Sequence, residues 1–338
     1  MNQNTAQQHQ AHPTNDAQDT RPLTDAERAR AKDHAATVLR PFDDEAATVD
    51  LIAGVTGREP GDVRTMLAGE LADPGVTVER DMRARGVAFH EWSDALEAFY
   101  SETDAFLFEL AVWNSNLHKR RMRRWIARHL ARGGVSKRVL MMGDGIGADS
   151  AHLSLCGHRV TFFELPGLSF EAARRVIDLN GTRAELIDDA GALDKAADGD
   201  GYDAVISLDV LEHVPDPAHE LGRLRGMLAP GGSLYVHAPF YLIHDKAATH
   251  LRTSRRFAGD PGLFRAAALE PVDGTSFWKP IVLRRSAEAA RPPARVRRRL
   301  ALSGLALALG RWTPLPAWAA LRARRSGSEW FGAQRSRL

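Results

Sequence analysis

Gly143, Gly145 and Gly147 occupy alternate positions directly after the apolar run at residues 139–142, in the stretch VLMMGDGIGADS. Without a Cβ such a turn leaves its backbone N–H groups open to a polar ligand, and a helix beginning near Ala148 would add its positive N-terminal end. With Ala148 in the sixth place the run also satisfies the dinucleotide pattern G-x-G-x-x-G/A. The next apolar run, VTFFEL, carries Glu164 seventeen residues beyond Gly147. An acid at the tip of a second strand accepts hydrogen bonds from both ribose hydroxyls of a nucleoside. The pairing suits NAD or another adenosine-containing ligand and leaves that choice open. Further along, Leu208 and Asp209 close the run YDAVISLD, at the carboxyl edge of a sheet where open α/β folds bind ligands.

These groups need a scaffold, and the pattern of the chain supplies one. Residues 24–132 read as helices, with acid-rich starts such as TDAERARAKDHAATVLR and no strand-like alternation. From KRVLMMGDG onward, short apolar runs (RVTFFEL, RAELIDD, YDAVISLDV, GSLYVHAPF, KPIVLRRS) alternate with helical stretches, which predicts an α/β fold with a parallel sheet covered by helices on both faces. The prolines and arginines of AARPPARVRRR mark a boundary. The expected organisation is a polar, disordered tail over 1–20, a helical cap region over 21–115, a ligand-binding α/β domain over 116–290 and a basic apolar extension over 291–338.

The stretch YDAVISLDVLEHVPDPAHELGRLRGMLAPGGSLYVHAPF, residues 202–240, closely resembles class I S-adenosylmethionine-dependent methyltransferases, especially their quinone and natural-product branch. In that family a strand ending in LDVLEHV is followed by DP, a helix, and L-x-PGG before the fifth strand. Here these are residues 208–214, Asp216-Pro217, and Leu228 through Gly232. The resemblance covers residues 138 to about 240. It implies a Rossmann-like, mostly parallel sheet of seven strands, S-adenosyl-L-methionine as cofactor and a small-molecule acceptor. It makes Gly143, Asp144, Gly145, Gly147, Glu164, Leu208 and Asp209 cofactor-binding residues, with Asp188 or Asp189 placed to bind the adenine amino group. Relatives commonly read VLDLGCGTG, so Met141 stands where an acid is usual, and Asp144 is the nearby charge that would stand in for it. Pro230-Gly231-Gly232 is read as a turn that reverses the chain into a buried strand.

Methyl transfer from a sulfonium needs alignment and desolvation, and a general base only when the acceptor carries a proton. The candidate catalytic groups are His213, His244 and Tyr100; His250 lies in the same connection as His244. Asp209, Glu212 and His213 also reproduce an acid-x-x-Glu-His spacing that holds a divalent cation in some quinone O-methyltransferases, but no metal is assigned. A single helix, FYSETDAFLFELAVWNSNLHKRRMRRW, is expected to roof the acceptor pocket through Tyr100, Trp113 and Asn114, with Phe106, Leu107 and Leu110 in the core. Its KRRMRRW segment reads as a solvated basic face.

Composition narrows the alternatives. The chain has 338 residues and a net charge of +2, yet residues 291–338 hold eleven arginines, no lysine and one acid. That net of +10 leaves −8 on residues 1–290 and points to an acidic partner: a membrane surface, nucleic acid or the body itself. Self-association through this segment is equally compatible. Cys156 is the only cysteine, which excludes an intrachain disulfide, fits the cytoplasm, and reads as helix core. The first twenty residues lack the apolar core of a signal peptide, and the longest apolar stretch, residues 300–310, is about half the ~20 residues a spanning helix needs. The chain contains no N-P-P-Y or D-P-P-Y motif and no RNA-binding module, so no nucleic-acid substrate is expected. The expected activity is methylation of a small molecule, on oxygen first, with nitrogen or carbon methylation of a small molecule or of an RNA or protein substrate as alternatives. A nicotinamide-dependent oxidoreductase and a non-catalytic cofactor-binding protein are the readings from other classes.

Overall fold

Why the chain alternates between strand and helix after residue 137 is visible in its local chemistry. Short apolar runs such as RVLMM, RVTFF and YDAVISL suit a doubly covered strand, and Gly143, Glu164 and Asp209 follow them directly. The structure, a computed structural model, describes residues 21–197, 199–275, 279–310, 312–314, 318 and 321–322. The expected tail over 1–20 lies outside the described residues, as do residues 323–338.

The N-terminal half is helical: α1 (Asp25–Arg30), α2 (Glu45–Thr56), α3 (Pro60–Ala72), α4 (Val76–Arg85), α5 (Asp94–Glu102), α6 (Ala105–Ser115) and α7 (Leu117–Leu130). Then follow β1 (Arg138–Met142), α8 (Ala148–Leu155), β2 (Arg159–Phe163), α9 (Leu168–Leu179), β3 (Ala184–Ile187), α10 (Ala190–Ala197) and β4 (Tyr202–Leu208). The chain continues through α11 (Pro217–Gly226), β5 (Leu228–His237), α12 (Gly262–Ala266), β6 (Leu269–Asp273), β7 (Ile281–Arg285) and α13 (Ala294–Gly310). The seven strands form one sheet in the order β3-β2-β1-β4-β5-β7-β6, parallel from β3 to β5 and antiparallel at β7 and β6. The fold is therefore the Rossmann-like, mostly parallel α/β sheet with added N-terminal helices. Strand β6, which carries both a proline and two acids, gave no period-2 signal and was not expected on its own.

Two corrections concern local structure. The expected single roof helix is three helices, because Thr103 turns extended (ψ 144°) and Asn116 does the same (ψ 137°) while its side chain caps α7 at the His118 N–H. Pro230, Gly231 and Gly232 lie within the first half of β5 instead of before it, with a register break against β4 between Tyr202 and Ala204.

Successive strands are added on one side of β1 up to β3 and on its other side from β4, so a crevice opens at the carboxyl ends of β1 and β4, where the order switches. One apolar cluster joins Leu107, Phe108 and Val112 of α6 and Val63 and Leu67 of α3 to Ile146, Ala151 and Val176 behind that crevice. In front, His90 fastens the helical half to the segment after β5: its N–H donates to the Ala248 carbonyl and its own carbonyl accepts from Arg252, each at 2.9 Å. Buried Glu70 accepts from the N–H and hydroxyl of Thr77, which sets the start of α4 over the crevice.

His152 and His158 are buried in this core, and burial holds their pKa down to about 3 and about 4. An unfolded histidine titrates near pH 6.5, so between about pH 4 and 6.5 these two side chains bind about two more protons in the unfolded chain than in the native one. Their contribution to stability is full above that window and is lost as pH drops through it, at about 2–3 kcal/mol per pH unit. Urea unfolding of the wild type and of His158→Gln at about pH 5 and pH 6 compares the two slopes, and the variant is expected to lose about 1.4 kcal/mol per pH unit; equal slopes contradict the assignment.

Candidate functional site

The first half of the site is the turn after β1. Gly143 and Gly145 adopt φ +69° and +62°, backbone that side chains rarely take. A Cβ on Gly143 would sit 2.5 Å from Val210 Cγ2 and one on Gly145 2.7 Å from Leu110 Cδ1, so the cradle exists only because both are glycine. The turn is tied to the neighbouring strand twice: the Gly143 N–H donates to the Phe163 carbonyl at 2.9 Å, and the Gly145 N–H donates to Glu164 Oε2 at 2.7 Å. The other carboxylate oxygen of Glu164 accepts from the Leu165 N–H at 2.9 Å. Burial raises the Glu164 pKa despite these two donors, so further donors to its oxygens would stabilise the ionised form.

Gly143, Gly145, Glu164, Asp209, His213, Tyr100 and Trp113 line one cavity of about 440 Å³. Met142 lines it as well, whereas Met141 is buried in a cluster with Met122, Ile126 and Ile206, where a carboxylate would be desolvated. The charge near that cluster is Asp149 on α8. It binds Arg123 Nε at 2.6 Å and Lys119 Nζ at 3.0 Å, and both cations outweigh burial to hold its carboxyl below the usual range. The expectation of a solvated basic face on α7 is thereby corrected: Lys119 and Arg123 are its buried side, because α8 presents a carboxylate to them.

Several expected cofactor residues have other duties. Asp144 turns inward and accepts from the N–H groups of Asp149 (3.2 Å) and Ser150 (2.7 Å), which caps the start of α8. Gly147 packs against Ala173, where a Cβ would come within 3.0 Å. Asp189 caps α10 through the Ala192 N–H at 2.7 Å, Asp188 is exposed, and Leu208 is buried in the sheet core. Asn114, expected on the pocket wall, is buried against Arg123 and the Leu110 carbonyl. Phe106 and Leu110, expected in the core, are cavity wall. His244 is exposed and accepts from the Lys246 N–H at 3.2 Å, so it caps a turn and does not face the cavity.

The second half of the site is a pair of polar groups that local sequence does not reveal. Asp209 sits at φ +59°, a strained position for a residue with a Cβ. Its carboxylate accepts from His237 Nδ1 at 2.6 Å and from Trp113 Nε1 at 3.1 Å, with Lys119 Nζ at 3.8 Å. Burial alone would raise its pKa, but His237 and Lys119 hold it far below the carboxylate range. The Nδ1 hydrogen is thus assigned to the Asp209 contact, which puts the basic lone pair of neutral His237 on Nε2. His237 lines the cavity with His118, whose pKa burial pulls down to about 4. Parallel register explains the pairing, since His237 and Leu208 are partners at the ends of β5 and β4. The only available sequence signal was a histidine at the end of an apolar strand.

A second polar group stands beside it. Tyr100 Oη lies 3.0 Å from His213 Nδ1, which is also 3.2 Å from the Thr249 carbonyl. Burial raises the Tyr100 pKa, so its phenol stays protonated, and the side chain lines the cavity as a hydrogen-bonding wall. Glu212, His213 and His250 place one potential ligand atom each within 4.8 Å of one another. Asp209, which the spacing grouped with Glu212 and His213, is engaged by His237 instead, and His250 is the third member of this cluster.

Residues 113–270 match a family model described as a methyltransferase domain. The chain is 33% identical over 112 residues to a ubiquinone biosynthesis O-methyltransferase of Aromatoleum aromaticum, covering 33% of this chain and 47% of that protein. It is 36% identical over 103 residues to the Bordetella pertussis protein of the same name, covering 29% and 41%. It therefore spans less than half the length of these relatives. Among solved structures it is similar to Burkholderia thailandensis 1,6-didemethyltoxoflavin-N1-methyltransferase with bound 1,6-didemethyltoxoflavin and S-adenosylhomocysteine, at 24% identity over 51% of this chain and 78% of that one, with a TM-score of 0.35.

Proposed function

We propose, from the premise that residues 113–270 are a class I S-adenosylmethionine-dependent methyltransferase domain, that the protein methylates a hydroxyl oxygen of a planar small molecule. One observation carries this reading: a single cavity is walled at one side by Gly143, Gly145 and Glu164 and at another by the Asp209–His237 pair. The glycine cradle fits a nucleoside-bearing cofactor, because only bare backbone fits between Val210 and Leu110, and because the Glu164 carboxylate is fixed at the strand tip. When bound, S-adenosylmethionine supplies a methyl group already activated by its sulfonium.

This chain's residues then have three tasks. Tyr100, Phe106 and Trp113 give the acceptor flat apolar walls and keep water away. Asp209, fixed by Trp113, holds the His237 ring in one orientation. His237 Nε2 takes the hydroxyl proton as the oxygen becomes nucleophilic, a role that suits phenols and enols more than amines, which are already nucleophilic when neutral. A second reading rests on Glu212, His213 and His250: two imidazoles and a carboxylate around one point suit a divalent cation, which would lower the acceptor hydroxyl's pKa directly.

The test is methyl transfer from labelled S-adenosylmethionine to a panel of catechols, other phenols and primary amines, with and without a chelator. Labelled catechol or phenol ethers insensitive to chelation support the histidine reading. Ethers lost on chelation and restored by magnesium or zinc support the cation reading, and exclusive labelling of amines rejects oxygen methylation.

A further inference from the structure

Helix α13 has two apolar faces, and only one of them meets the body. Val296 and Leu307 are buried, Gly259 comes so close that a Cβ on it would lie 2.2 Å from the Gly304 carbonyl oxygen, and Arg299 is held by the Gly274 carbonyl at 2.8 Å and by Asp273. On the opposite side Leu302, Leu305 and Leu309 follow the helical repeat and are 56%, 56% and 65% exposed. Trp312 and Trp318, just beyond, are 78% and 64% exposed. Five of the eight exposed large apolar side chains among the described residues thus fall within seventeen positions. The first turns of the same helix expose Arg295, Arg297 and Arg298.

We propose that this outward face of α13 seats the protein on an anionic bilayer surface, with leucines and tryptophans entering the boundary between headgroups and acyl chains and the arginines meeting lipid phosphates. Because the helix is already docked through its other face, its second apolar stripe needs an occupant from outside. Charge complementarity identifies that occupant: residues 291–338 contain eleven arginines and a single acid, Glu329, so a second copy of this segment would bring one carboxylate against eleven arginines. A nucleic acid would answer the arginines and leave the leucines in water. A lipid surface satisfies both, as basic amphipathic helices lying in the interface do. No described helix is long and apolar enough to cross a membrane, so the contact is with one leaflet.

Full-length protein is sedimented with vesicles of phosphatidylcholine alone and with vesicles that also contain phosphatidylglycerol. Capture by the anionic vesicles only is expected. Leu302→Ser, Leu305→Ser and Leu309→Ser together should lower apparent affinity about a hundredfold. Arg295→Glu, Arg297→Glu and Arg298→Glu together should lower it about as much, with unchanged circular dichroism and S-adenosylhomocysteine binding. Should the leucine variant misfold, the arginine variant decides. Capture by neither vesicle, equal capture by both, wild-type affinity of a folded variant, a dimer that the leucine variant dissociates, or tighter binding to duplex DNA overturns the proposal.

Discussion

His237→Ala lowers kcat by about a thousandfold, the middle of the range for losing a positioned general base, while the Kd for S-adenosylhomocysteine changes by no more than about twofold because Gly145 and Glu164 remain in place. The expectation follows from the site's division of labour. His237 lines the cavity at the end of β5, with Nδ1 2.6 Å from Asp209. Asp209 is a positioning residue whose effect passes through the imidazole. Asp209→Asn should therefore reduce kcat by about a hundredfold with the acceptor KM changed by no more than about twofold, since an amide can hold the imidazole in the wrong tautomer while keeping the geometry. A merely structural role for Asp209 would lower the melting temperature without separating kcat from KM. Retention of full kcat by His237→Ala, with a phenol as acceptor, assigns the proton to another group and turns attention to Glu212, His213 and His250.

Glu164→Gln is the second large effect. It is expected to weaken S-adenosylhomocysteine binding about a hundredfold, which corresponds to about 3 kcal/mol from two charge-assisted hydrogen bonds. Two backbone donors already fix the carboxylate, from Gly145 and Leu165, so ribose hydroxyls would meet oxygens whose positions are set before binding. Glutamine keeps the shape and loses the charge, and its amide nitrogen opposes a donor wherever it is placed. Calorimetry measures the change, and the unliganded melting temperature should fall by only a few degrees, as about 1 kcal/mol does in a chain of this size. Wild-type affinity in this variant would remove Glu164 from the cofactor site and, with it, the pairing of acid and glycine turn on which the site was located.

Both predictions also separate what was legible in the chain from what was not. The glycine turn, the acid seventeen residues on and the strand that ends at Leu208 could be read directly, because each depends on backbone conformation or on the period of a short segment. Asp209 was visible as a residue of the crevice, but its partner was not. His237 is twenty-eight positions away, and only the parallel register of β4 with β5 makes the two neighbours. The same holds for α7. Its KRRMRRW run has the composition of a solvated surface, and Lys119 and Arg123 are buried only because α8 brings Asp149 to them. His244 and Asp188 looked equivalent to true cavity residues by type and by nearness in sequence, and the structure leaves both exposed.

The sequence by itself determined the alternation of strands and helices from β1 to β5 and the backbone that can bear a nucleoside, since periodicity and missing Cβ atoms act over a few residues. The tertiary structure alone decided which acid orients which histidine and which cations lose their water. Those outcomes depend on distances between residues far apart in the chain, and such distances are set when sheet register and helix packing bring opposite charges within a few ångströms in a desolvated interior.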